Sequence, residues 1–330
     1  MSRLVTLMTC QWTDMDLETL CQKAKAWGYD GLELACWGKH LDAVKAAESD
    51  SYCAEVKGIL EKYDMQVKAL STHIIGQCVG DLPDPRLNNF APPALADKPD
   101  EIHEWAVETM KASAYAAKNL GACVVTSFTG SPIWRYLYSF PQTPQKMIDE
   151  GYQKVYCEWT PILDEFVKNG IKYALEEHPA EIAFDYYTTQ KTLETFKDRP
   201  EFGINFDPSH LIWQGVTPHI FLKDFGERIY HVHMKDAAVT LDGRTGLLGS
   251  HIDFGSSKRG WNFRSLGHGD VNFEEIIRTL NEIGYEGPLS VEWEDSGMER
   301  EYGAKEACEF VKKVDFAPST FKFDDAISNK

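Results

Sequence analysis

The chain has 330 residues, 43% of them hydrophobic, enough for a packed core in one large domain or two ordinary ones. Against 34 basic residues stand 51 acidic ones, and the net charge of −17 argues against nucleic acid and anionic membrane surfaces as partners. Eight scattered cysteines without a C-x-x-C pair point to free thiols in a reducing cytoplasm, and neither a long signal core nor a stretch near membrane-span length is expected.

From the N-terminus, short β-like runs alternate with helical patterns. "RLVTLMT" (3–9) precedes the helical "DLETLCQKAKAWG", and "GLELACW" (31–37) precedes a helix ending near "VKGILEKY". "QVKALSTHI" (66–74) is followed by "EIHEWAVETMKASAYAAKNLG" (101–121), whose apolar residues recur at helical spacing before a glycine stop. Next come "CVVTSFT" (123–129), a helix around "YQKVYCEWTPILDEFVKNG", and "KYALEEH" (172–178). "FGINFDPSH" (202–210), "IYHVHMKD" (229–236) and "PLSVEWED" (288–295) complete the strands, each preceded by a helical stretch, and "AKEACEFVKKV" forms the last helix.

Eight βα repeats predict an α/β fold, a single (β/α)8 TIM barrel with long loops after the third, fourth and seventh strands. A doubly wound sheet would offer a glycine-rich phosphate turn after an early strand, whereas the first strand here runs into "MTCQWTD". The barrel is assigned to 1–315 and a polar C-terminal tail to 316–330.

Catalytic groups of such barrels sit at C-terminal strand ends. Four consecutive strand ends carry metal-type ligands: Glu176, Asp207, His233 and Glu292. A lone strand-end carboxylate is ordinarily a helix cap or an ion-pair partner. Three of them with an imidazole around one axis make a like-charge cluster that a cation must neutralise. Mixed oxygen and nitrogen donors suit Mn2+, Mg2+, Co2+ or Zn2+, and the lack of cysteine argues against a structural zinc.

"LEEHP", "NFDPSH", "HVHMKD", "LGHGDVNFEEIIRTLNEIGYEGPLSVEWED" and the early "AKAWGYDGLEL" resemble the xylose-isomerase-like TIM-barrel superfamily over about residues 1–315. That group includes sugar isomerases, epimerases and the endonuclease IV branch. The resemblance implies one divalent metal, Mn2+ foremost, held by Glu176, Asp207, His233 and Glu292. It also implies an acid–base pair, Glu176 and Glu292, moving a proton beside a substrate carbonyl. His178, two residues beyond Glu176, is a further acid–base candidate or a sugar contact. His210, Lys235, His73 and Trp37 are expected at the substrate, with Glu33 and His40 as pocket lining and His231 behind His233. Lys235 and Asp236 are expected to pair or to order the loop after His233. Glu294 shares a face with Glu292, so the last ligand is open between them.

Two departures bear on the substrate. Ketohexose epimerases of this type carry an Arg six residues after the metal His and a Glu six after the first ligand; this chain has Val239 and Ile182. Its long loops carry aromatics instead: Trp134, Tyr136, Tyr138, Phe140, Phe254, Trp261 and Phe263. The expected function is therefore a metal-dependent sugar or oxo-sugar isomerase or epimerase. The alternative is the large, catalytic subunit of a C-glycoside deglycosidase-type lyase acting on 3-oxo-glycosides, with a small partner subunit. A homo-oligomer or that hetero-oligomer is expected, and endonuclease IV-like repair and a non-catalytic carbohydrate-binding barrel rank below.

Overall fold

The computed structural model describes residues 3–197 and 199–321. Its strands are β1 (Val5–Met8), β2 (Gly31–Ala35), β3 (Gln66–Ser71), β4 (Val124–Ser127), β5 (Lys172–Glu176), β6 (Phe202–Phe206), β7 (Ile229–Met234), β8 (Asp236–Val239), β9 (Trp261–Arg264) and β10 (Leu289–Val291). All but β8 and β9 are parallel and close into one barrel, with β10 lying between β7 and β1. The expected (β/α)8 fold is therefore what the chain adopts, with the longer segments after the third, fourth and seventh strands.

Both faces of the barrel strands are covered, so they read as nearly continuous apolar runs. Helices close the outside with one apolar stripe each; in Phe273–Glu282 that stripe is Phe273, Ile276, Ile277 and Leu280. Their ends follow local chemistry. Asp16 accepts a hydrogen bond from the Thr19 N–H to start Leu17–Trp27, and Gly28 stops it at φ 99°, in the left-handed region that favours glycine. Between barrel and helices, Trp159, Tyr173, Phe202 and Phe196 pack ring against ring.

Several expected strands end early. The runs assigned to 66–74, 172–178, 202–210 and 288–295 stop as strands at Ser71, Glu176, Phe206 and Val291. Polar residues take over there: His73 opens a helix (His73–Gly80), and Asp207 caps another (Pro208–Ile212) with Pro208 in its first turn. The segment after β7 is not all loop, since β8 and β9 pair antiparallel within it. Of the tail assigned to 316–330, residues 316–321 carry no helix or strand and 322–330 lie outside the described residues. No helix among the described residues is long and apolar enough to cross a membrane. Each cysteine is a free thiol.

Candidate active site

Barrel register brings four side chains together. Glu176 ends β5, Asp207 follows β6, His233 is next to last in β7, and Glu292 follows β10. One ligand atom from each lies within 4.8 Å of the others. His233 is the hub: its Nδ1 is 3.1 Å from Glu176 Oε2 and 3.0 Å from Glu292 Oε2.

The donor set can be tested for a cation by counting lone pairs. Asp207 Oδ1 accepts the Ser209 N–H at 2.8 Å, whereas its Oδ2 is buried without a hydrogen-bond partner. Glu292 Oε1 accepts from Lys235 Nζ at 2.8 Å, and its Oε2 has no aligned donor. Glu176 Oε2 accepts from Asn205 Nδ2 at 2.9 Å and faces His73 Nε2 at 2.8 Å. Buried oxygens left unsatisfied in one place are costly, and a divalent ion is the partner that three carboxylates and an imidazole fit. Glu294 stands outside this group. It accepts from Gln11 Nε2 and lies 3.5 Å from Lys235 Nζ, so Glu292 is the residue that converges with the other three.

Proton affinities follow from the same neighbours. Burial alone would raise the Glu176 carboxyl, but His233, His73 and His210 hold it well below the usual range. For Glu292, burial is likewise outweighed, mainly by Lys235, and the carboxyl falls to about 2. Glu177, buried beside Asp207, is pushed well up; its Oε1 accepts the Asp207 N–H at 2.8 Å. Burial and the nearby His210 keep the His178 imidazole well below its ordinary value. His210 goes the other way, to about 9, as Asp207 and Glu176 overcome its burial.

A cavity of about 800 Å³ opens above these groups. Trp37, His73, Glu176, His178, His210, Lys235 and Glu292 all line it, while Asp207 and His233 lie fully buried at its base. His178 packs edge-on against His210 at 4.2 Å between ring centres, and its Nδ1 has no hydrogen-bond partner. His210 Nε2 sits 3.2 Å from Glu176 Oε1 and 3.3 Å from Asp207 Oδ2. The far wall is aromatic. Phe263 and Phe254 stack at 5.2 Å, Trp261 stacks on Trp213 at 4.6 Å, and Lys235 Nζ lies 4.4 Å over the Phe263 ring.

Other expected placements are corrected. Glu33 and His40 do not line this cavity: Glu33 is buried beneath His233, and His40 Nδ1 pairs with Thr9 Oγ1 at 2.9 Å. Lys235 and Asp236 do not pair. Lys235 turns to Glu292, whereas Asp236 accepts backbone N–H bonds from Ala237, Gly267, Gly269 and Val271. A Cβ on Gly269 would fall 2.2 Å from Asp236 Oδ1, so the "LGHGD" glycine is what lets the backbone close on that carboxylate. The aromatics after β4 belong elsewhere: Trp134 and Tyr136 line a separate space of about 170 Å³, and Phe140 is 99% exposed. Gln11 and Phe128 line the main cavity without having been singled out. Their position just beyond β1 and β4 was the available signal.

A family model described as the xylose isomerase-like TIM barrel matches residues 21–314. An uncharacterized Bacillus subtilis (strain 168) protein, YfiH, is 27% identical over 320 residues, 91% of this chain and 95% of that one. An inosose dehydratase from Clostridium beijerinckii is 28% identical over 167 residues, 50% of this chain and 52% of that one. Among solved structures, the 3-keto-D-glucoside 4-epimerase YcjR from E. coli superposes with a TM-score of 0.67 at 13% identity, covering 94% of this chain and 99% of that one.

Proposed function

The chain belongs to the xylose isomerase-like TIM-barrel family, and from that premise we propose that it is a divalent-metal-dependent isomerase or epimerase of a sugar or oxo-sugar. Glu176, Asp207, His233 and Glu292 would hold one ion, Mn2+ foremost, with Mg2+, Co2+ and Zn2+ as the other candidates. When bound, such an ion polarises a carbonyl and the hydroxyl beside it, making the neighbouring C–H more acidic. Glu176 and Glu292 would act as the acid–base pair: one, as the carboxylate, takes the proton from that carbon on one face, and the other, carrying a proton in that state of the enzyme, delivers one to the opposite face. Lys235 holds Glu292 in place, His73 and His210 hold Glu176, and Trp37 with His178 meets the rest of the substrate.

The observation that carries the reading is the meeting of Glu176 and Glu292 at His233 Nδ1, 3.1 and 3.0 Å away. The test is turnover in D2O by metal-loaded protein against keto-sugars and oxo-glycosides. Deuterium beside the carbonyl, in a product that keeps every substrate atom, supports the reading. A loaded enzyme that exchanges nothing sinks it.

Elimination is the second reading, and the cavity favours it. About 800 Å³ ending on Phe254, Trp261 and Phe263 exceeds what a free hexose fills. The same carbon-bound proton would be removed, and the bond to a β-substituent would then break, with His178 lining the space of the leaving group and its neighbour His210, raised to about 9, supplying the proton that the departing group takes up. Water leaves in a dehydratase, the activity named for the Clostridium relatives. From a 3-oxo-glycoside, an aglycone would leave, as in a C-glycoside deglycosidase-type lyase with a small partner subunit. Aglycone release as fast as epimerisation would reverse the order of the two readings. The free cysteines suit a cytoplasmic setting for either.

A further inference from the structure

Beneath the proposed ligand set lies a group of polar side chains that the chemistry above does not use. Its centre is Glu33 of β2, which is fully buried. Thr126 of β4 donates its hydroxyl to Glu33 Oε1, and Ser290 of β10 donates to Oε2 at 2.6 Å. From β7, His231 Nε2 lies 2.8 Å from Oε2, and His233 Nε2 lies 3.2 Å from both oxygens. One carboxylate thus spans four strands of the barrel.

A carboxylate in its anionic form only accepts hydrogen bonds, so every group facing Glu33 must bring the hydrogen. The hydroxyls of Thr126 and Ser290 can, and each imidazole does so by carrying its proton on Nε2. For His233 this leaves the Nδ1 lone pair as the one that looks up, toward Glu176 and Glu292. We propose that Glu33 is a positioning residue: from the barrel floor it holds His233 in the Nε2–H tautomer, with Nδ1 presented to the metal ligand set. The inference rests on the metal reading given under Proposed function.

Glu33, His231 and His233 also place ligand atoms within 4.8 Å of one another, as a second cation site would. Lone-pair counting decides against it. Around Glu33 the facing atoms are paired with one another, and the unsatisfied oxygens lie above, on Asp207 Oδ2 and Glu292 Oε2. The floor orients and the layer above binds. Ligating histidines commonly donate their other N–H to a carboxylate in this way, which fixes ring and tautomer.

Glu33→Gln keeps the volume but turns an amide N–H toward groups that already donate. Mn2+ affinity measured by chelator competition should weaken roughly 10- to 100-fold while the far-ultraviolet circular dichroism is unchanged. In the Zn2+-loaded wild type, 15N histidine spectra should show His233 protonated at Nε2, a feature lost in the variant. A purely structural role would lower the melting temperature and leave the affinity alone; that result, or an unchanged tautomer, overturns the proposal and leaves the metal reading standing. Two ions per wild-type chain, one of them lost in Glu33→Gln, would make Glu33 a ligand and overturn it too. A wild type that binds no ion brings down both. Should Glu33→Gln not fold, Ser290→Ala removes one donor to the same carboxylate: an affinity at least about threefold weaker supports the proposal, and an unchanged one ends it.

Discussion

Across one cavity, the molecule uses two ways of fixing a side chain. On the side of β5, β6, β7 and β10, Glu176, Asp207, His233 and Glu292 sit at or within one residue of a strand end, and the ladder pairs Glu176 with Asn205 and Ser290 with His233. On the opposite side, Phe254, Trp261 and Phe263 belong to the excursion after β7, outside the barrel: Trp261 and Phe263 lie in β9, paired only with β8, and Phe254 is held in the loop between those two strands by side-chain packing. Arg259 lies 4.1 Å over the Phe254 ring, and Trp261 Nε1 donates to the Leu247 carbonyl at 3.0 Å. Backbone register tolerates few adjustments, because moving one ligand would shift a whole strand. Packing in a surface excursion tolerates many. Under the proposed function, the proton-transfer chemistry would belong to the strand side, and substrate choice to the aromatic side.

The sharpest way to break this division is to remove a strand-side ligand. Asp207→Ala and His233→Ala should each take metal occupancy from about one ion per chain to near zero by elemental analysis. Turnover should fall at least about a thousandfold, since Lewis-acid assistance is worth several kcal/mol. Occupancy unchanged in both would mean that the ion sits elsewhere. Next in size, Glu176→Gln and Glu292→Gln assayed at saturating metal keep the shape and remove the proton acceptor. At least about a hundredfold should be lost from kcat for every substrate alike. Near-normal turnover in either would shift the acid–base role to His178 or Glu294.

On the aromatic side the expected pattern differs in kind. Phe254 is 54% exposed, so Phe254→Ala should leave the fold intact. KM for glycosides should rise roughly tenfold, as befits the loss of one aromatic contact, while free sugars stay within about twofold. An equal loss on both substrate classes would show that the wall serves the reaction and not the choice of substrate.

The same contrast explains what could be read from the chain before its structure. The convergence of Glu176, Asp207, His233 and Glu292 was legible because repeated βα units place strand ends around one axis, where residues that singly would pass for caps or ion-pair partners form one cluster. Period-2 alternation gives the face of a strand but not the depth along the barrel, so Glu33 was expected at the rim when it lies on the floor. His73 fell within an expected strand because Thr72, where the chain turns into a helix, is itself a good strand residue. The β8–β9 pair left no trace: its strands are separated by residues 240–260, with no two-residue turn to announce a hairpin. Lys235 and Asp236 are adjacent and opposite in charge, yet at the junction of β7 and β8 one enters the cavity and the other turns back onto "LGHGD".

The smallest expected effect concerns a carboxylate outside both sides whose burial is not balanced by a cation. Glu181, in the loop after β5, accepts the Thr129 and Gly130 N–H groups at 2.8 and 2.7 Å on Oε2, while its Oε1 is buried without a partner. Burial and the negative charge of Asp81 outweigh those hydrogen bonds and raise its carboxyl to about 8. The folded chain therefore keeps a proton on Glu181 in a pH range where the unfolded chain, with an ordinary carboxyl near 4.5, has lost it. Native protein then binds more protons than unfolded protein, so stability falls as pH rises from about 4.5 to about 8 and levels off beyond. Glu181→Gln mimics the protonated form at every pH. Its melting temperature should match the wild type near pH 5 and exceed it by roughly 2–5 °C at pH 9, a shift suited to a chain of this size. The expectation concerns the difference between the two proteins, so titrating groups that Glu181 does not face, such as Asp236, which burial raises to about 6, cancel from it. Melting curves that run parallel from pH 5 to pH 9 would show that Glu181 is ionised in the fold and that its charge is balanced after all.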